Sequence, residues 1–139
     1  MESSNIQRYT LHSTERLKLR KQIETLFQTG EAFSVYPLRV IYGLTPREAV
    51  SGPSLAGFSV PKKKMKLAVH RNRIKRLIKE CWRVQKHELA PALLSHQQAH
   101  IFFIFTGKEM PVHADIYKSV QKAISILHKK LVQANEHTS

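Results

Sequence analysis

Arg71, Asn72, Arg73, Lys75 and Arg76 stand within six consecutive positions. Lys62, Lys63, Lys64 and Lys66 precede them, and Lys79, Arg83 and Lys86 follow. Eleven of the 23 basic residues of the chain thus fall between positions 62 and 86, against a single acid, Glu80. The chemistry open to such a set is recognition of phosphate. Arginine presents a planar fork that matches a phosphate bidentately, whereas lysine acts as a point charge. Asn72 adds a side chain that can hydrogen-bond a phosphate, a ribose or the water of a bound metal. No protein nucleophile or acid–base pair stands out. The acids are scattered singly, with no carboxylate cluster to hold two metals, and the eight histidines are dispersed. His96 and His100 are four apart but fall in an expected connector, so no protein-borne metal site is expected. Thr106-Gly107-Lys108 lacks the upstream glycine of a phosphate loop. The residues point to binding of a polyanion rather than to catalysis.

Placing 71–86 on a helix sharpens this. At about 100° per residue, Ile74, Leu77, Ile78, Cys81 and Val84 share an arc of about 120°. Arg71, Asn72, Lys75, Arg76, Lys79, Arg83 and Lys86 occupy about 140° on the opposite side, with Arg73 near the boundary and Trp82 at the other edge. Six like charges on one face repel one another, at a few tenths of a kcal/mol per i, i+4 pair. A bound polyanion would neutralise that face, while the apolar arc calls for a folded core beneath it.

The elements that must carry this helix can be read in order. Residues 1–10 are polar, and a flexible N-terminus is expected there, as at 135–139. From Ser13 a helix is expected, with Ser13 as N-cap, Glu15 in the first turn, Leu19, Ile23, Leu26 and Phe27 as its apolar side, and Gly30 as its stop. FSVYPLRVIYGL, 33–44, reads as strand, with a possible break at Pro37. TPREAVSGPS, 45–54, is a loop, and LAGFSV, 55–60, is expected to return antiparallel to the first run. The basic loop 61–70 leads into a helix from about Arg71 to Ala90, stopped by Pro91. APALLSHQQA is a connector, HIFFIFTG, 100–107, a strand covered on both faces, and 112–133 a final helix. These elements give an α/β (α+β) sandwich built on one sheet.

The totals agree with this reading. The chain has 139 residues, 42% of them hydrophobic, enough for a core in a single domain, and its formal net charge of +13 favours nucleic acid or an anionic surface as partner. One cysteine, Cys81, excludes an internal disulfide and fits a reducing cytosol; its place on the apolar arc marks it as core. The N-terminus lacks an apolar segment, so no secretory signal is expected. The run IFFIF, 101–105, is far short of the roughly 20 residues a membrane helix needs. A soluble, cytoplasmic, basic protein with no membrane partner is expected.

The basic stretch resembles the signature of the bacterial ribonuclease P protein family. Ser59-Val60 closes a strand, Lys62-Lys63 follow, and Ala68-Val69 lead into Arg71-Asn72-Arg73 and Lys75-Arg76, with Glu80 and Arg83 behind. The resemblance extends to LFQTG, where Phe27 and Gly30 match the family's V-F-x-x-G, to Tyr42, to HIFFIF and to the last helix. Ile23 stands where many members have a second phenylalanine. The loop 64–67 lacks the family's common glycine, and Pro61 replaces a small polar residue.

The resemblance implies a two-layer sandwich with a single mixed four-stranded sheet, in the order α-β-β-β-α-β-α, and a left-handed βαβ crossover. It implies an accessory subunit whose partners are the ribonuclease P RNA and precursor tRNA. The RNA removes the 5′ leader with Mg²⁺, which it mainly holds itself; the protein alone is inactive, binds no cofactor and is monomeric. Lys62, Lys63, Arg71, Asn72, Arg73, Lys75, Arg76, Lys79 and Arg83 are expected to meet the catalytic RNA near its metals. Ile23, Phe27, Tyr42 and Ser59 are expected to line a cleft for the leader, where aromatic rings stack on bases without regard to sequence. The residues alone leave other readings open. These are a ribosomal-protein-like RNA-binding module or RNA chaperone, a DNA binder using 71–86 as recognition helix, and a nuclease, which the missing carboxylates disfavour.

Overall fold

The computed structural model describes residues 20–47 and 52–138. Helix α1 spans Arg20–Thr29, strand β1 Glu31–Val35, β2 Leu38–Pro46, β3 Ser54–Ser59, helix α2 Ala68–Gln85, β4 Gln97–Phe105 and helix α3 His113–Thr138. The strands form one mixed sheet in the order β1-β2-β4-β3. The expected cap at Ser13 and the acid at Glu15 lie outside the described residues.

The first helix ends where the sequence placed its stop. The Gly30 amide donates to the Leu26 carbonyl at 2.8 Å. A Cβ at this position would lie 2.5 Å from that oxygen and 2.8 Å from the Tyr42 carbonyl, so only glycine lets the chain pass between α1 and β2. The apolar run after it breaks at Tyr36-Pro37, whose peptide bond is cis, and becomes a hairpin in which Val35 pairs with Leu38. Proline offers no amide to a ladder, so the turn is where it fits.

Strand β3 runs opposite to β2, as expected, but the two do not pair. Strand β4 lies between them, antiparallel to β2 and parallel to β3. The uniformly apolar HIFFIF explains this placement, because a strand apolar on both sides is best buried at the centre of the sheet. Strand β4 starts at Gln97, so His100 sits in the sheet rather than in a connector. His100 is buried, with Nε2 3.0 Å from Gln98 Oε1. Helix α2 starts three residues early, at Ala68, and gives way after Gln85 to two short 3-10 turns around Pro91. The last helix runs beyond its expected end at 133. Helix α3 continues to Thr138, where Asn135 donates to the Ala92 carbonyl at 3.0 Å and accepts from Gln97 at 2.7 Å.

Alternation along each strand divides the core in two. Leu38, Val40 and Tyr42 of β2 and Ile101, Phe103 and Phe105 of β4 face α2 and α3. There they meet Ile74, Ile78, Cys81 and Trp82 of α2 and Ile116, Val120 and Leu127 of α3. Ile41 and Phe102 face the other way, toward Leu26 and Ile23 of α1, with Leu55 of β3. The two-layer packing rests on the α2/α3 face, and the short α1 lies on the opposite one.

Candidate nucleic-acid interface

Helix α2 turns Ile74, Ile78, Cys81, Trp82 and Gln85 inward, all buried. Trp82, expected at the edge of the apolar arc, is 1% exposed, and Val84, expected within it, is 40% exposed. Trp82 packs on Phe103 at 5.4 Å, and Phe103 stacks on Phe58 at 5.7 Å with the rings 5° from parallel. The buried thiol of Cys81 is pushed up to about 11, chiefly by desolvation and further by the Glu80 charge, so it is a core group and not a nucleophile. Gln85 is satisfied by donating to the carbonyls of Cys81 and Tyr117.

Outward, the half-buried Phe58 of β3 forms the floor of a groove walled by Asn72, Lys75, Arg76 and Lys79, with a volume of about 380 Å³. The aromatic stack beneath anchors this floor in the core, so the cations project from a rigid support. Asn72, Arg73 and Arg76 are exposed, and Lys75 and Lys79 half-buried. This combination accommodates a phosphate backbone, with an apolar edge for a sugar or a base.

Two of the expected basic residues also have work within the protein. Arg71 donates through Nη1 to the Met65 carbonyl at 3.0 Å and the Lys66 carbonyl at 2.7 Å, latching the basic loop to the start of α2. The Met65 side chain is buried beneath the loop, which leaves Lys62, Lys63 and Lys64 exposed on a turn closed by the Pro61 carbonyl. No described residue has a positive φ, so this loop adopts its course without glycine. Arg83 makes a two-pronged contact with Glu80, one prong at 3.1 Å. Hydrogen bonding from Arg83 holds the Glu80 carboxyl below its ordinary range, and the same bond raises the Arg83 guanidinium.

The expected leader cleft is only partly assembled. Phe27 is 49% exposed and meets Phe102 edge-on at 5.3 Å, and Ile23 packs beside it. Ser59 lies on this same face, in a row running Ser34, Arg39, Ile104, Ser59 across the four strands. Tyr42 does not join them. It is one residue out of phase with Ile41, and its ring lies on the α2/α3 side, 7% exposed, edge-on to Phe33 at 6.0 Å. Its hydroxyl donates to Glu31 at 3.0 Å. Burial, aided by Glu31, pushes that hydroxyl up to about 12. A buried ring cannot serve as an open stacking platform.

Two residues on the α1 face escaped the sequence reading: Phe102, assigned only to the core, and Arg39, an exposed cation on β2. The signal was present in the alternation of Leu38-Arg39-Val40-Ile41, which sets Arg39 and Ile41 on one side. Among the described residues, no group of three or more His, Cys, Asp or Glu converges, and no helix is long and apolar enough to cross a membrane.

Comparison with known proteins adds a consistent result. The family model "Ribonuclease P" matches residues 11–131. The chain is 41% identical over 117 residues to the "Ribonuclease P protein component" of Porphyromonas gingivalis strain W83, covering 84% of this chain and 85% of that one. A Synechococcus protein of the same name is 29% identical over 115 residues, covering 81% and 84%. Among solved structures, the Staphylococcus aureus RNase P protein superposes with a TM-score of 0.63 at 22% identity, covering 81% of this chain and 94% of that one. The Thermotoga maritima RNase P protein, in complex with 1-(4-fluorophenyl)-2-thiourea, gives 0.61 at 21%, covering 78% and 96%. At these identities the structural matches speak for the fold.

Proposed function

Because the chain belongs to the ribonuclease P protein family, we propose that it is the accessory subunit of a cytoplasmic ribonuclease P, binding the catalytic RNA and the 5′ leader of precursor tRNA. The observation that carries this reading is the groove of Asn72, Lys75, Arg76 and Lys79 over Phe58. It is a cationic wall on a rigid aromatic floor, sized for a nucleic-acid backbone and lacking any catalytic pair.

Two RNAs repel each other, and cations between them lower that repulsion. The exposed α2 face and the lysines of loop 62–64 do this for the catalytic RNA. Arg71 acts one step back, keeping the loop where its lysines reach the same surface. On the far side of the sheet, Phe27 offers an open ring to a leader base, Phe102 supports it, and Arg39 and Ser59 offer a charge and a hydroxyl to the backbone. Such contacts read no base edge, which suits leaders of variable sequence. Mg²⁺ held mainly by the RNA supplies the hydrolytic chemistry, and the protein's part is to set cations and an open ring beside it.

The test is reconstitution. The protein is added to a bacterial ribonuclease P RNA and a precursor tRNA at low Mg²⁺, and 5′ cleavage is followed. Stimulated cleavage at the mature 5′ end is expected. Tight RNA binding without stimulation would instead indicate an RNA-binding module with no processing role, and cleavage by the protein alone would indicate a nuclease.

A further inference from the structure

A cavity of about 630 Å³ opens where the β1–β2 turn meets the start of α3, sharing no residue with the α2 groove. Its size lies within the roughly 300–1,000 Å³ of small-molecule sites. Three observations define its chemistry. First, the Tyr36 ring is 74% exposed at its rim, yet the backbone carrying it is tied down. The Tyr36 carbonyl accepts from the buried Ser119 hydroxyl at 2.8 Å, and the Pro37 carbonyl accepts from the Thr106 amide at 2.8 Å. An open aromatic ring carried on an anchored backbone can serve as a stacking platform. Second, Met110 and Pro111 supply further apolar lining. Third, Lys108, Lys118, Glu109 and Asp115 all line the cavity, and none has an ion-pair partner among the described residues. Two cations and two anions thus converge on one space without neutralising one another.

A ligand suited to this set is flat on one part, anionic on another, and carries N–H donors. We propose that the cavity binds a single nucleotide. The base stacks on Tyr36, its exocyclic amino group donates to Glu109 or Asp115, and its phosphate pairs with Lys108 and Lys118. A simple polyanion would be repelled by the carboxylates, and an aliphatic zwitterion would leave the Tyr36 ring unused. Adenine, guanine and cytosine offer an exocyclic amino group, whereas uracil offers only its ring N3–H, flanked by two carbonyl oxygens that a carboxylate repels, so the site disfavours uracil. The nucleotide is either free or part of an RNA chain.

Titrating the full-length protein with each nucleoside monophosphate and with inorganic phosphate, followed by backbone amide shifts in NMR, tests this. Adenosine, guanosine and cytidine monophosphates are expected to perturb residues 36–37 and 106–119. Uridine monophosphate should bind about tenfold more weakly, the effect of one hydrogen bond to a charged group. Tyr36→Ala, at an exposed side chain, should weaken the amino-bearing nucleotides by about tenfold, and Lys118→Ala should weaken all four. Phosphate reproducing the shifts with equal affinity, shifts confined to residues 72–79, or an unchanged affinity in Tyr36→Ala would each overturn the assignment. A cytidine tetranucleotide binding these residues more tightly than the monomer assigns the pocket to a nucleotide within a chain, and equal or weaker binding assigns it to a free one. Cleavage is not the readout, so loss of this proposal leaves the processing role standing, and the reverse.

Discussion

Along β2, Leu38, Val40 and Tyr42 point into the packed space under α2 and α3, while Arg39, Ile41 and Gly43 point toward α1. The two sides of one sheet differ sharply. Among the described residues, the α2/α3 face gathers a buried cluster of 22 residues and the α1 face one of four, so stability resides mainly on the first, whose accessible chemistry is carried on the outside of α2, while the second leaves apolar groups open beside α1. On the closed face the aromatic rings are tied into the core: Phe58 stacks on Phe103, Trp82 packs against it at a tilt, and of the three Phe58 lines the basic groove. On the open face Phe27 is half exposed and, among the described residues, meets one aromatic ring, that of Phe102. An aromatic residue's role here is set by which side of the sheet it faces.

The largest effect is expected in the closed core. Phe103→Ala should destabilise the protein by about 3–5 kcal/mol, measured by urea unfolding, because its 0%-exposed ring leaves a cavity between Phe58 and Trp82. An equal loss on truncating the half-exposed Phe27 would erase the distinction between faces. Above that core, Lys75→Ala combined with Arg76→Ala should leave folding intact. It should reduce the slope of log affinity against log salt for ribonuclease P RNA by about 1.4–1.8, the share of two phosphate contacts.

On the open face, Phe27→Ala should cost about 1–3 kcal/mol in binding of precursor tRNA and none for mature tRNA, measured by parallel titrations. Tyr42→Phe should show the opposite profile, with no change in either binding and about 1 kcal/mol lost in stability from the Glu31 hydrogen bond. It also carries a pH signature. The Tyr42 hydroxyl is raised from 10.0 to about 12 in the folded protein, so the unfolded chain gives up this proton first as pH rises. The stability it contributes is therefore fully present below pH 10 and lost between 10 and about 12. Unfolding followed across that window should show a shallower decline in Tyr42→Phe than in the parent.

Much of this protein was legible in its residues because the signals were local. The apolar and basic arcs of 71–86 follow from helical periodicity, and α2 forms with them segregated. Gly30 stops α1, the break at Pro37 falls between two strands, and HIFFIF is a covered strand, because each rests on backbone geometry or on burial of a contiguous run. The charge concentration at 62–86 survives as one basic surface for the same reason: neighbours in a loop and one helix remain neighbours in space.

Tertiary structure decided what depends on pairing between distant segments. Strand order placed β4 between β2 and β3, and register set Tyr42 one residue out of phase with Ile41, moving it from the expected cleft into the core and bringing Arg39 out. A one-residue difference reverses the face of a strand side chain, and composition cannot specify which phase faces which helix. Arg71 turned out to latch the basic loop, because only the folded loop brings the Met65 and Lys66 carbonyls to its guanidinium. The cavity beside Tyr36 is likewise made by a turn, a loop and a helix start that sequence separation keeps apart and the sheet brings together.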